Sequence, residues 1–195
     1  GNPASLQLQD FTIETWIQRA NPAIVSYGSH TAALFFGYGS AGYGLGMLND
    51  GRLFLTRVDI DNVTLNTPVI ADTNFHHVAV TKAGSTVFFY IDGVAYSAPA
   101  YNTTYSFGTA AAIGMRPDSL DDSFLGAIDE VAVFNRALSA AEVQSIYNTS
   151  SAGKCSLPPT FVQSPQSRTN VEGQATAFTA LATGSPPLAY QWYFN

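Results

Sequence analysis

Between Phe11 and Val133 short β-branched and aromatic runs are broken by Gly, Asn and Asp, the pattern of successive antiparallel strands. Phe11 to Arg19 alternates, with Phe11, Ile13, Thr15 and Ile17 on one face and Thr12, Glu14, Trp16 and Gln18 on the other. It predicts a strand covering a core with one side only. Asn49-Asp50-Gly51 separates two apolar runs, and Asp-Gly supplies the positive φ angles of a tight hairpin. Asp92-Gly93 repeats the device, and a Gly84-Ser85 turn joins His76–Thr81 to Val87–Ile91, so a meander is predicted. Further runs at Ala23–Tyr27, Leu34–Tyr38, Ala110–Gly114 and Ala127–Phe134 bring the strands to about ten, at the regular spacing of a sandwich. One helix is expected. Ser139 and Glu142 fit a capping box, and Val143, Ile146 and Tyr147 then share a face.

The pattern changes at Ser150. Residues 150–159 have no period and end in Pro158-Pro159, which reads as an interdomain linker after a domain over 1–149. Residues 160–195 are strand-like again, with a Gly-Ser-Pro-Pro turn at 184–187. About 35 residues are too few for an independent β core. The expectation is part of a second domain, an unsupported hairpin at most.

Composition narrows the function. Of 195 residues 46% are apolar and 11% charged, which describes an ordered, turn-rich protein. The net charge of −6 has the wrong sign for tracking phosphates, so neither nucleic acid nor an anionic membrane is an expected partner. No apolar run approaches the roughly 18 residues of a membrane span, and residues 1–20 lack the pattern of an export signal. Cys155 is alone, so no internal disulfide or thiolate zinc site can form.

Motifs with chemical promise mostly fail on context. Gly37-Tyr38-Gly39-Ser40-Ala41-Gly42 matches the dinucleotide fingerprint, but the chain continues as strand where the fingerprint needs a helix, so it reads as a turn. Asp59 and Asp61 flank Ile60 on a predicted strand and would share a face, the arrangement a glycosidase could use. No Glu accompanies them. His76 and His77 point to opposite faces and cannot share a metal; one is expected against Phe75 at the core edge and the other in solvent. Asn62, Asn102 and Asn148 begin glycosylation-acceptor triplets, which chance supplies in a chain rich in Ser and Thr.

Five ordered motifs resemble the laminin-G-like jelly-roll family over residues 5–148. They are Asp10-Phe11-Thr12-Ile13-Glu14-Thr15-Trp16-Ile17, Asp50-Gly51-Arg52-Leu53, Phe75-His76-His77-Val78-Ala79-Val80-Thr81, Tyr90-Ile91-Asp92-Gly93 and the run from Phe124 to Ser139. The resemblance implies an all-β, concanavalin A-like sandwich of two antiparallel sheets with one short C-terminal helix. It also implies a place in secreted, multidomain bacterial proteins. Phe75 stands where the family usually has Trp, and the strand that normally precedes Gly1 in such domains is absent from this sequence, so the expectation is an unpaired edge or an incomplete sheet. Residues 160–195 resemble the start of a bacterial immunoglobulin-like domain, with Trp192 as its core tryptophan and Ala180 where such domains often have Cys.

Two sites are expected. Asp118, Asp121 and Asp122 cluster, with Asp129 one strand further on, and hard calcium takes carboxylate and carbonyl oxygens. The resemblance implies a structural calcium near Asp129. Tyr27, Phe35, Phe36, Tyr38, Tyr43, Tyr101 and Tyr105 make the first half aromatic-rich, and sugar rings stack on exposed aromatics. Two or three of these can face outward, and Tyr38 and Tyr43 are the expected ligand contacts. The function that follows is noncatalytic: an extracellular recognition or adhesion module binding a glycan or a partner protein beside other domains of its parent chain. Alternatives are a glycoside hydrolase or lyase using Asp59 and Asp61, or a spacer packed on a catalytic domain.

Overall fold

Alternation along Phe11–Arg19 (β1) builds the first sheet. The computed structural model describes residues 1–27, 30–149, 160–183 and 190–193. The chain divides into two compact units, Gly1–Asn148 and Thr149–Asn195. In the larger unit the strands after β1 are Ala32–Tyr38 (β2), Tyr43–Leu48 (β3), Leu53–Arg57 (β4), Asp61–Thr64 (β5), Phe75–Ala83 (β6), Thr86–Ile91 (β7), Val94–Ser97 (β8), Ala111–Ile113 (β9) and Gly126–Phe134 (β10). They form two antiparallel five-stranded sheets, ordered β10-β1-β6-β7-β8 and β5-β4-β3-β2-β9. The predicted turns are present. Gly51, Gly84 and Gly93 all have positive φ, and a Cβ on Gly51 would lie 2.2 Å from the Ile70 carbonyl oxygen.

The inner faces meet in one core. Phe11, Ile13 and Ile17 enter it from β1, and Val78, Val80 and Phe89 from the meander. From the second sheet come Leu45, Met47, Leu53 and Leu55. A register shift in β2 between Leu34 and Phe36 lets two successive side chains, Phe35 and Phe36, join that core. An extra residue in one strand re-aims everything after it. Tyr43 lies at the centre of an aromatic group, with Phe11 at 4.4 Å, Tyr38 at 5.3 Å and Tyr105 at 5.5 Å between ring centroids. Its hydroxyl donates to the Leu6 carbonyl oxygen (2.6 Å).

The first sheet is covered on both faces, not one. Thr12, Glu14 and His77 are buried on its outer side. The cover is the segment from Arg136 into the helix Ala140–Asn148 (α1). Thr12 Oγ1 donates to the Arg136 carbonyl and accepts the Leu138 amide, both at 2.8 Å. The capping box forms: Ser139 N–H donates to Glu142 Oε2 (2.9 Å) and Glu142 N–H to Ser139 Oγ (3.3 Å). Val143 and Leu138 then pack on Ala79 and Tyr90, with Ile146 alongside. Tyr147 stacks on Trp16 at 5.8 Å.

On the second sheet's outer face, Leu34, Phe54 and Val58 form a small buried cluster. Glycines make room for it. A Cβ on Gly44 would meet Leu34 at 3.0 Å, and one on Gly46 would meet Phe54 at 2.8 Å and the Ala33 carbonyl oxygen at 2.1 Å.

Residues 23–27 are not a strand. Asn21 Oδ1 accepts the Ala23 (2.7 Å) and Ile24 (3.3 Å) amides, a side-chain turn that diverts the backbone from a ladder. Only an isolated bridge, Ser26 to Phe124, remains. In the smaller unit Thr160–Gln163 (β11) pairs with Leu181–Thr183 (β12). Phe161, Val162, Phe178 and Leu181 are exposed, and Trp192, expected to be a core residue, is 55% exposed. The predicted linker and the turn at 184–187 lie outside the described residues.

Candidate ligand-binding site

Of the seven aromatics Tyr27, Phe35, Phe36, Tyr38, Tyr43, Tyr101 and Tyr105, one faces outward: Tyr27 is 64% exposed, while the other six are buried. Tyr38 and Tyr43, the expected ligand contacts, are 0% exposed and cannot stack on a sugar. The β2 irregularity sets Tyr38 inward, and Tyr43 pairs across the core with Phe11. Burial raises both phenols above their ordinary range, Tyr43 most strongly.

Tyr27 stands at a polar hollow of about 450 Å³ where β1 ends and β10 begins, lined also by Gln18, Arg19, Thr73, Gly126 and Ala127. The bridge beside it and the Tyr27 amide bond to the Ser123 carbonyl (3.1 Å) hold the aromatic in place. Gly126 is required, since a Cβ there would lie 2.1 Å from the Gln18 carbonyl oxygen. Gln18 gives one N–H to the Thr73 carbonyl (3.0 Å); an amide has two N–H donors and an acceptor oxygen, so capacity remains for a ligand. Arg19, nearly inaccessible, donates to the carbonyls of Ile70 (2.6 Å), Asn49 (2.8 Å) and Pro22 (2.9 Å). Across the first sheet Gln18 lies opposite Ala127 on one side and Phe75 on the other. Phe75, expected beside one histidine at the core edge, is 48% exposed. Both histidines bond elsewhere than to it.

The predicted calcium ligands do not converge. Arg116 grips Asp59 (2.5 and 2.9 Å) and Asp118 (3.1 and 3.0 Å). Those bonds, with burial opposing, hold the Asp118 carboxyl down to about 2. Asp121 and Asp122 face His30 at 3.5 and 3.3 Å. Asp129 sits on β10 opposite Trp16, and its carboxylate accepts the Glu130 amide (2.8 Å). Among the described residues no three His, Cys, Asp or Glu side chains come together as a metal site. As they stand the four acids do not fit one calcium site: Asp118 is already bound by a guanidinium, Asp121 and Asp122 face His30, and Asp129 accepts a backbone amide on β10.

Asp59 and Asp61 do not form a pair either. Asp59 occupies a turn with φ +67° and is bound to Arg116, while the Asp61 carboxylate accepts the Tyr101 hydroxyl. His77 Nε2 lies 2.9 Å from Glu14 Oε2 in full burial. His76 bridges Asp92 (2.8 Å) and Asp72 (3.1 Å). Burial opposes its charged form, but the bonds to the two carboxylates prevail and raise its pKa. Gly37–Gly42 spans the end of β2 and its turn into β3, where no helix begins.

The chain belongs to the concanavalin A-like lectin/glucanases superfamily, whose Laminin G 3 model matches residues 1–144. Solved structures of similar fold include a Bacteroides ovatus protein classed as carbohydrate-binding (15% identity, TM-score 0.59). A second is the CBM40 module of the Ruminococcus gnavus IT-sialidase (15%, TM-score 0.57). A third is domain 4 of AbnA, an extracellular GH43 arabinanase of Geobacillus stearothermophilus, in complex with arabinotriose (18%, TM-score 0.55). The matches cover 74%, 72% and 72% of this chain and 42%, 83% and 67% of those chains, respectively. The chain thus spans less than half of the Bacteroides ovatus protein. No curated protein matches the sequence. Among the described residues no helix is long and apolar enough to cross a membrane.

Proposed function

We propose that this domain is a noncatalytic carbohydrate-binding module of an extracellular protein, and that a glycan docks in the hollow beside Tyr27. The observation that carries the reading is a tyrosine 64% exposed over a concave polar surface, whereas Phe35, Phe36, Tyr38, Tyr43, Tyr101 and Tyr105 are buried. A sugar offers an apolar ring face to the phenol and hydroxyls to amide and carbonyl groups such as those of Gln18 and Thr73. The carbohydrate-binding modules among its structural neighbours support the same reading. A shallow site of this kind binds weakly, and tethering to other domains raises its useful affinity.

Titration calorimetry against a panel of oligosaccharides tests it. Tyr27→Ala should weaken binding about tenfold, the loss of one aromatic contact, with the melting temperature unchanged. Absence of binding across the panel, or full affinity in the variant, would reject the hollow as the site.

A further inference from the structure

We propose that the hollow selects uncharged sugars and discriminates against acidic ones, an inference that rests on the carbohydrate-binding reading. Recognition of a sugar carboxylate calls for a cation, best a guanidinium presenting two parallel N–H groups. Among the described residues Arg19 is the only Lys or Arg lining the hollow. It is already engaged with three backbone carbonyls and is 1% exposed. Its position in β1, two residues after the core residue Ile17, directs it inward. Burial lowers its pKa, with the charges of Asp50 and Asp72 opposing. Of the other cations of the larger unit, Arg52 pairs with Asp50, Arg116 with Asp59 and Asp118, and Arg136 with Glu142; Lys82 is buried and donates to the Gln9 carbonyl, and Arg57 ends β4 in the other sheet. His76, the nearest titratable base on β6, is outnumbered by its two partners, Asp72 and Asp92.

Two acids flank the lining residues in sequence. Asp72 immediately precedes the lining residue Thr73, and Asp129 lies two residues beyond the lining residue Ala127. Both are exposed. An approaching carboxylate therefore meets like charge and no available cation, on a chain of net charge −6, whereas a neutral sugar asks only for the amide, hydroxyl, carbonyl and aromatic groups that are present. This sets the domain apart from the CBM40 module, a neighbour of the same fold that has been seen bound to α2,3-sialyllactose.

The test compares neutral with acidic ligands: galactotriose against trigalacturonate, which differ only in the oxidation of C6, and lactose against α2,3-sialyllactose, which adds a sialic acid, with arabinotriose as a further neutral probe. Calorimetry on the whole chain at low salt should give measurable binding of a neutral probe and at least tenfold weaker binding of the acidic member of its pair. The gap should narrow in high salt as repulsion is screened. Equal or tighter binding of the acidic partner, lost in Tyr27→Ala, would overturn the selectivity and leave the carbohydrate reading intact. No binding of any sugar would overturn both.

Discussion

The two sheets face the same difficulty on their outer sides, since each carries apolar residues that water would otherwise wet, and they resolve it differently. The first sheet adds a layer: the 136–139 segment and α1 close over Thr12, Glu14, Ala79 and Tyr90. The second removes material: glycines at 44 and 46 leave shallow depressions into which Leu34 and Phe54 settle. An added layer depends on chain far away in sequence and on the caps that keep it helical. A recessed surface depends on missing side chains, so it tolerates no enlargement.

Enlarging the recess should have the greatest effect. Gly46→Val drives a side chain into the Ala33 carbonyl and the Phe54 ring and should destabilise the domain by on the order of 4 kcal/mol. Gly108→Ala, where a Cβ meets nothing within 4 Å, should leave urea denaturation almost unmoved. Equal effects of the two would show that the recess carries no packing load. Under the added layer, His77→Ala leaves the Glu14 carboxylate buried without the imidazole it bonds, at about 3 kcal/mol. The same variant should raise amide exchange in α1, because Tyr147 packs 6.1 Å from that imidazole; unchanged exchange would separate the helix from the pair beneath it. Loss of the cap is the mildest change. Ser139→Ala should cost about 1 kcal/mol, read as a small fall in the denaturation midpoint with the second sheet unaffected.

Local signals were legible in the sequence, and signals that depend on register were not. The capping box, the Asp-Gly turns and the two faces of β1 each involve neighbouring residues, and each is found as expected. Burial of β1's second face was hidden, because its cover arrives more than a hundred residues later. Tyr38 and Tyr43 were misjudged because alternation says which residues share a side but not which side is inside, and the β2 irregularity shifts the count. Tyr27 could have been found from Asn21-Pro22, a turn-initiating pair that ends the strand expectation and frees the ring. The acidic cluster misled in a similar way. Arg116, two residues before Asp118, is the sign that this carboxylate already has a cation.

Arg19 carries a consequence for the architecture of the ligand end. One guanidinium fastens three separate connections, at Pro22, Asn49 and Ile70, and a guanidinium holds its proton throughout the range in which proteins fold. This end of the domain is therefore cross-braced from within by a fastener that acid does not release, so a sugar docking in the proposed hollow would meet a shape already set and lose little of its binding energy to ordering the protein.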